Sequence, residues 1–266
     1  MNKYFVSLVR FVVPEKIRQR LWKIYYRKQD KKVLRAYTAF CKKNTAFFTL
    51  KPWNETYVFF KNKVINGIQY YSQFYQDYYL DTFIFNKKEN GFFLDIGGND
   101  PVRINNTYFF EKERSWTGLA FEPMPAMNKK WKEMRKVECM QIALGSSISE
   151  MEFCEYEDDY MSGFSDSVDY TGKVKSKYKV NVFPLEKVLK EKSISHIDFV
   201  SMDIEGSELE ALNGIDFDSV TIDYFVIENN KGVKKERSIR NFLLKQNYVP
   251  IARLYCDDIW KRKDTK

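Results

Sequence analysis

From Gly91 onward, short apolar runs alternate with stretches of helical spacing, and this alternation restricts the possible folds more than any other feature. Apolar runs separated by helical segments are typical of βαβ units, which build a mostly parallel sheet. We therefore predict an α/β, Rossmann-like fold in which a mostly parallel seven-stranded sheet carries helices on both faces.

The predicted elements follow one another in regular order. Strands are expected at 92–96, 117–121, 138–142, 197–202, 224–227, 248–254 and 259–262. Helices are expected at 106–113, 125–134, 207–212 and 235–245. The segment 145–191 is polar and contains an acidic cluster, and we predict a long loop that covers the substrate.

Basic residues are concentrated at the N-terminus. Residues 1–43 hold 13 Lys and Arg against Glu15 and Asp30, a net of +11, whereas the whole chain carries only +8. The spacing of apolar residues predicts two amphipathic basic helices, and we divide the chain into a basic helical extension, 1–65, and a main domain, 66–266. The extension either packs on the domain with a solvated cationic face or contacts an anionic membrane through residues 1–43.

Hydropathy and cysteine spacing exclude other classes of protein. The mean hydropathy is -0.51 and the longest apolar stretch near the N-terminus is far shorter than the ~20 residues that span a bilayer. The four cysteines form no CxxC pair, so we expect a reducing compartment, with the protein cytoplasmic or peripheral at the inner face of the membrane. The lone histidine, His196, precedes a strand, which excludes it as general base and excludes a Ser-His-Asp hydrolase.

Two strand ends predict a nucleoside site. The first strand ends in Asp95 and runs into Gly97 and Gly98, where missing side chains let backbone amides approach a ligand. The second ends in Glu122, followed by Pro123, and a carboxylate there can accept both ribose hydroxyls of an adenosine. Because ligands of open α/β sheets bind beyond the carboxyl ends of the strands, we place these residues in one cofactor site.

The cofactor is either a dinucleotide or S-adenosylmethionine. A dinucleotide needs the GxGxxG spacing, which the run GGNDP lacks. S-adenosylmethionine has an ammonium group and a sulfonium in place of a pyrophosphate, and the carboxylates of Asp95 and Asp100 suit these charges better. An ordinary βα turn with two glycines is the alternative.

Two further strand ends supply candidate catalytic residues. The fourth strand ends in Asp203, closely followed by Glu205, and the fifth ends in Glu228. Removal of a proton from an acceptor hydroxyl requires a base, and we assign Asp203 to this role, with Glu205 and Glu228 as the next candidates. We also assign Asp203 to the cofactor site. The same carboxylates can instead hold Mg²⁺, which we do not predict, and Glu205 and Glu208 can cap the following helix.

The chain from about residue 71 to residue 263 resembles the FkbM family of class I methyltransferases. The resemblance is carried, in order, by the blocks YSQFYQD, GFFLDIGGND, NNTYFFEKERSWTGLAFEPMP, ALG, GFSDSVDY, IDFVSMDIEGSELEALNGIDF and CDDIWKRK. Several such blocks in one order are far more specific than any one of them.

The resemblance implies a class I methyltransferase fold and roles for individual residues. It implies that S-adenosylmethionine binds at Asp95, Gly97, Gly98 and Asn99, with its ribose at Glu122. It further implies adenine packing near Ile142 and Ala143, a catalytic role for Asp203, and pocket positions for Gln73 and Asn106. The family pattern D-x-G-A-N-D-G is altered at Gly98, which only adds freedom, and at Pro101, which removes a backbone amide.

Members of this family resemble one another in acting as O-methyltransferases, often on sugars of glycans or of secondary metabolites. We therefore expect methyl transfer to a hydroxyl of a carbohydrate or sugar-like acceptor, in the biosynthesis of a bacterial surface polysaccharide such as capsule or lipopolysaccharide. The alternatives are a nucleic-acid methyltransferase and a cofactor-binding module attached to a membrane surface. The fourth strand lacks the Pro-Pro-aromatic turn that stacks a flipped base, so no nucleic acid is expected as a partner.

Overall fold

The computed structural model describes residues 48–50, 64–65, 67–157, 162–164, 172–229 and 233–265, and a compact unit extends from Phe48 to Lys266. The two basic helices predicted before residue 45 lie outside the described residues. The boundary at 65/66 stays a prediction. Within the described residues no helix is both long and apolar enough to cross a membrane.

One large mixed sheet forms the centre of this unit. In spatial order its strands are β6 (Glu138–Met140), β5 (Thr117–Phe121), β4 (Phe92–Ile96), β11 (His196–Met202), β12 (Thr221–Glu228), β14 (Asp257–Arg262), β13 (Tyr248–Leu254) and β1 (Phe48–Leu50). β14 is antiparallel to both of its neighbours, and every other pairing is parallel. The seven predicted strands are all present, and β1 adds an eighth at the edge.

Helices cover both faces of the sheet, as predicted. They are α1 (Gln76–Tyr79, continued by a π-helical turn, Leu80–Ile84), α2 (Tyr108–Arg114), α3 (Pro125–Met134), α4 (Leu185–Glu191), α5 (Glu208–Asn213) and α6 (Val233–Lys245). Successive side chains of a strand point to opposite faces, so Leu94 packs in the core with α4, α5 and α6, whereas Phe93 packs in the core with α2 and α3. This alternation produces the three-layer α/β fold.

The segment 145–191 differs from the predicted loop. Most of its described part belongs to a second sheet, in the order β7 (Ala143–Leu144), β10 (Val174–Phe183), β8 (Ser149–Tyr156) and β9 (Gly163–Phe164), followed by α4. On the long β8–β10 hairpin, lysines pair with glutamates across the strands, for example Lys179 with Glu150 at 2.6 Å and Lys177 with Glu152 at 2.9 Å. The acidic cluster is therefore largely one side of a cross-strand charge pattern.

Smaller differences have local causes. The third strand stops at Met140 instead of residue 142, because Ala143 and Leu144 pair with β10 in the second sheet. A two-stranded ribbon of β2 (Val64–Ile65) and β3 (Ile68–Gln69) turns at Gly67. Cys139, Cys154 and Cys256 are buried free thiols, in agreement with the absence of a disulfide pattern.

Candidate active site

A cavity of about 390 Å³ lies at the carboxyl edge of the large sheet, where β4, β5, β11 and β12 end. The strand order reverses there, between β4 and β11, which is where ligands of open α/β sheets bind. The residues assigned to the cofactor and to catalysis from the sequence all line it, namely Gln73, Asp95, Gly97, Gly98, Asn99, Asn106, Glu122, Pro123, Ile142, Ala143, Asp203, Glu205 and Glu228. Their individual roles stay predictions.

The turn after β4 requires a glycine at position 97. Gly97 has a φ of +78°, and its N–H donates to the carbonyl oxygen of Phe121 at 2.9 Å. A Cβ here would overlap the backbone oxygen of Asp203 and come within 2.6 Å of Ile204 Cγ2. The ends of β4 and β11 therefore meet backbone to backbone, at residues that line the cavity.

Asp95 is almost fully buried and is held through one of its two oxygens. Its Oδ2 accepts hydrogen bonds from Thr107 Oγ1 at 2.5 Å and from Asn105 Nδ2 at 3.0 Å. Its Oδ1 lies beside Gly98 in the cavity lining. Burial raises the pKa of Asp95, and the Thr107 hydroxyl, the charge of Arg135 and the Asn105 amide oppose the rise.

Glu122 fastens the glycine turn to the end of β5. Its Oε2 accepts the backbone N–H of Asn99 and its Oε1 that of Met124, both at 2.8 Å. A carboxylate oxygen has more than one lone pair, so these bonds leave acceptor capacity for ribose hydroxyls. The carboxylate is thus oriented by backbone before any ligand arrives.

Gly98 has a tighter role than the freedom expected from the sequence. The indole of buried Trp131 fills the space beside it, and a Cβ at position 98 would lie 2.5 Å from Trp131 Cζ2 and 2.6 Å from Asp95 Oδ1. Trp131 also donates its Nε1–H to the carbonyl oxygen of Asn99 at 2.9 Å. In this chain the tryptophan occupies the room that an alanine in the family pattern would need.

Asp100 and Pro101 form a turn outside the lining of the cavity. Asp100 Oδ1 accepts the N–H groups of Val102 at 3.0 Å and Arg103 at 2.8 Å, so this carboxylate, which was expected to suit the cationic cofactor, serves the turn and is not part of the cavity lining. This Asx-type turn spans Pro101 and uses no donor from it. The proline therefore replaces an amide at a position remote from the cavity surface.

One wall of the cavity is apolar and the second sheet contributes part of it. Its apolar residues include Met124, Ile142, Ala143, Leu144, Phe153 and Phe164. Phe153 and Phe164 lie on β8 and β9 and make an edge-to-face contact at 5.9 Å between ring centroids. An aromatic and aliphatic wall in the same cavity as the Glu122 carboxylate has the chemistry that suits a planar adenine.

The opposite side of the cavity is acidic. The protein atoms packed around the end of β11 raise the pKa of Asp203 well above its ordinary value, and the charges of Glu228 and Glu205 raise it further. The side chain of Asp203 is nevertheless open to the cavity. Glu205 has a φ of +54°, which ends the extended geometry that the sequence interpretation assumed, yet it still lines the cavity. A carboxyl with a raised pKa is a stronger base once it is ionised.

Glu208 forms a cluster of carboxylates with Asp203 and Glu228. Single oxygens of Asp203, Glu208 and Glu228 all lie within 4.8 Å of one another, a spacing that a cation could share. Glu208 Oε1 already accepts the N–H groups of Gly206 at 3.0 Å and Ile204 at 3.2 Å. Glu208 therefore holds the loop before α5, as expected for a residue at a helix start, and a metal is not part of our assignment.

Two residues near the strand ends, Asp257 and Ser201, were not identified from the sequence. Asp257 pairs in register with Glu228, accepts a hydrogen bond from Gln76 Nε2, and has a pKa raised to about 7 by burial and by the charge of Glu228. Ser201 accepts from Asn106 Nδ2 at 3.0 Å and lines the cavity. Asp257 was missed because its strand was predicted to begin only at residue 259.

A β-branched residue in the cavity lining adopts a left-handed backbone. Ile104 has a φ of +57°, which is unusual for a β-branched side chain and costs on the order of 1–3 kcal/mol. Asn105, the next residue, locks this conformation because its Oδ1 accepts the N–H groups of Thr107 at 3.0 Å and Tyr108 at 2.8 Å. The adjacent Asn105 and Asn106 were the sequence signal for this turn, but only Asn106 was assigned to the site.

The single histidine lies at the amino end of β11, as predicted, away from the cavity. His196 Nε2 is 3.0 Å from Asp223 Oδ2, on the neighbouring strand. It takes no part in the candidate site.

Comparisons with known proteins agree with the family resemblance. The model of the methyltransferase FkbM domain matches residues 95–250. A crystal structure of methyltransferase FkbM from Methylobacillus flagellatus KT matches with 14% sequence identity and a TM-score of 0.38. That match covers 66% of this chain and 44% of the other, so the chain spans less than half the length of that protein. No curated protein matches. Because the family model covers more than half of the sequence, this chain belongs to the FkbM methyltransferase family.

Proposed function

We propose that the protein transfers a methyl group from S-adenosylmethionine to a hydroxyl of a carbohydrate or sugar-like acceptor, in the biosynthesis of a bacterial surface glycan such as capsule or lipopolysaccharide. The observation that carries the proposal is the joining of Asp95, Glu122 and Asp203 in one cavity at the reversal of strand order. Membership in the family supports methyl transfer. The carbohydrate acceptor follows only from the resemblance of the sequence.

The cavity fits the parts of this cofactor. The apolar wall with Phe153 and Ala143 suits the adenine, and Glu122 suits the ribose hydroxyls. Asp95, with Oδ1 beside the lining glycine, suits the ammonium group. The sulfonium of the bound cofactor supplies an electrophilic methyl group that is ready for direct displacement.

The chain itself would position the acceptor and remove its proton. We assign the base to Asp203, whose N–H donates to Ile96 at 3.0 Å and whose carboxyl is open to the cavity. Glu205 and Glu228 crowd this carboxyl with negative charge and make it a better proton acceptor. Gln73 and Asn106 line the same cavity, and we assign their amide groups to the cofactor.

Cofactor binding is tested by calorimetry with S-adenosylhomocysteine. We expect one-site binding for the wild type and for Asp203→Asn, because asparagine keeps the size of the side chain and an acceptor oxygen at this position. Absence of heat with S-adenosylhomocysteine together with heat on titration of NAD would reject the proposal.

The acceptor is tested in cells and in extracts. Deletion of the gene should remove a methyl ether from the surface glycan, and wild-type protein should restore labelled methyl transfer to extracted glycan, whereas Asp203→Asn should not. Labelling of RNA or DNA with a steep salt dependence would favour a nucleic-acid methyltransferase instead. Liposome association through residues 1–43 without turnover would favour a cofactor-binding module at a membrane.

A further inference from the structure

Arg135 is a buried cation that has no contact with the cavity. Its side chain is 0% exposed, and it follows directly on α3, where its N–H caps Trp131. Its Nε lies 2.5 Å from Glu111 Oε2, and its guanidinium stacks 4.4 Å from the centre of the Trp131 ring. Burial of an arginine is costly unless its donors are satisfied, so the partners of the remaining donors identify what it serves.

Those donors all reach the loop that follows the glycine turn. Nη1 donates to the carbonyl oxygen of Pro101 at 2.8 Å and to Asn105 Oδ1 at 3.3 Å, and Nη2 donates to Thr107 Oγ1 at 3.1 Å. The fork of one arginine thus joins three points on the loop between Gly98 and α2.

The contact with Thr107 decides the direction of its hydroxyl. Thr107 Oγ1 accepts from Arg135 Nη2 and has two possible acceptors for its single proton, Asp95 Oδ2 at 2.5 Å and Asn105 Oδ1 at 3.0 Å. Asn105 Oδ1 already accepts two backbone N–H groups and Arg135 Nη1, so the shorter contact with Asp95 receives the proton. The contact with Asn105 fixes its amide in the same way, with Oδ1 toward Arg135 and Nδ2 toward Asp95 at 3.0 Å. Both donors therefore arrive at Oδ2, and Oδ1 is left on the side of Gly98 and the cavity.

We propose that Arg135 is a positioning residue for the cofactor site, which acts through Thr107 and Asn105 to keep the Asp95 carboxylate ionised and aimed at the ammonium group of S-adenosylmethionine. The inference rests on the proposed function for the identity of the ligand. The guanidinium charge and the hydrogen bonds that it organises lower the pKa of Asp95, which burial alone would raise.

Other charged groups surround the same carboxylate. Glu122 lies at the neighbouring strand end and Asp203 at the other, both lining the same cavity, and Glu111 partly neutralises Arg135. The Arg135 relay opposes the effect of burial on the ionisation of Asp95.

Thr107→Val is the sharpest test, because valine keeps the shape of the buried side chain and removes only the hydroxyl relay, while Thr107→Ser retains it. Affinity for S-adenosylmethionine is measured by calorimetry from about pH 5.5 to about pH 8.5. We expect Thr107→Val to bind S-adenosylmethionine about tenfold more weakly than wild type near pH 6. The midpoint of the pH dependence of this affinity should move upward by about one pH unit, which is a tenfold change in the ionisation equilibrium of Asp95. Thr107→Ser should follow the wild type.

A second measurement is independent of the cofactor. The titration of the Asp95 carboxyl carbon, followed by NMR in the ligand-free protein, should move to higher pH in Thr107→Val and in Arg135→Lys, which keeps the charge but loses the fork. If Arg135→Lys does not fold, the comparison of Thr107→Val with Thr107→Ser still tests the inference. Unchanged titration of Asp95 in Thr107→Val overturns the inference. If the titration of Asp95 shifts in Thr107→Val but the wild-type protein does not bind S-adenosylmethionine, the proposed function is wrong and the relay to Asp95 is still supported.

Discussion

The backbone of Gly97 lies directly against the carbonyl oxygen of Asp203, so the end of β4 and the end of β11 touch without an intervening side chain. Strand β4 pairs with β11 in parallel, with Ile96 beside Met202. The two chain segments therefore leave the sheet side by side. This contact brings the glycine turn and the candidate base into one cavity.

Gly97→Ala should destabilise the protein far more than a glycine replacement at a similar backbone angle elsewhere. Gly67→Ala is the matched control, since its φ is +81° and nothing lies within 4 Å of the added Cβ. We expect a loss of about 1–2 kcal/mol for Gly67→Ala from backbone strain alone, and at least twice that for Gly97→Ala. Urea unfolding measures both, and equal losses would contradict the contact with Asp203.

Gly98→Ala should be rescued by a smaller neighbour. The added Cβ would meet Trp131 Cζ2 at 2.5 Å, so the single substitution should cost about 1–3 kcal/mol of unfolding free energy. Trp131→Phe removes that atom, and a double-mutant cycle should give a favourable coupling of about 1 kcal/mol or more. Additive losses would show that Trp131 is not what excludes the alanine.

Glu122→Gln should weaken cofactor binding and also lower the unfolding free energy by about 1–3 kcal/mol, because one buried N–H loses its acceptor. The amide keeps the shape of the carboxylate but has one acceptor oxygen in place of two, while Asn99 and Met124 each donate a backbone N–H to it. We expect the dissociation constant for S-adenosylhomocysteine to rise about tenfold or more in calorimetry. Glu133→Gln, on the exposed face of α3, is the control and should bind like wild type.

Asp257 should make the ligand-free protein less stable as the pH rises. Burial and then Glu228 raise its pKa from 3.8 to about 7, so the folded state holds the proton more tightly than the unfolded chain does. This stabilisation is present below about pH 4 and is lost as the pH rises through about 7, at up to ~1.4 kcal/mol per pKa unit.

Asp257→Asn should therefore flatten the decline in unfolding free energy between about pH 4 and about pH 7. Asparagine still accepts the hydrogen bond from Gln76 Nε2, so the fold around it is retained. Asp218→Asn, at an exposed position, is the control and should leave the pH profile as in wild type. A wild-type profile for Asp257→Asn would show that this carboxyl does not carry the proton.

Much of the site was predictable because it lies where strands end. Asp95, Glu122, Asp203 and Glu228 each close an apolar run, and parallel strands deliver their carboxyl ends to one edge. The length of each apolar run can be read from neighbouring residues alone, and β4, β5 and β13 have the predicted bounds. Arg135 and Asp257 could not be found this way, because each reaches the site through residues distant in sequence.

The sequence by itself determined the alternation of strands and helices, the glycines at the first turn and the carboxylates at the strand ends, since these depend on periodicity and residue type over short stretches. Only the tertiary structure decided that the described parts of 149–183 largely form a second sheet, that Trp131 fills the space beside Gly98, and that Arg135 reaches Asp95 through Thr107. Those outcomes depend on volumes and hydrogen-bond directions between distant segments, which short-range periodicity does not encode.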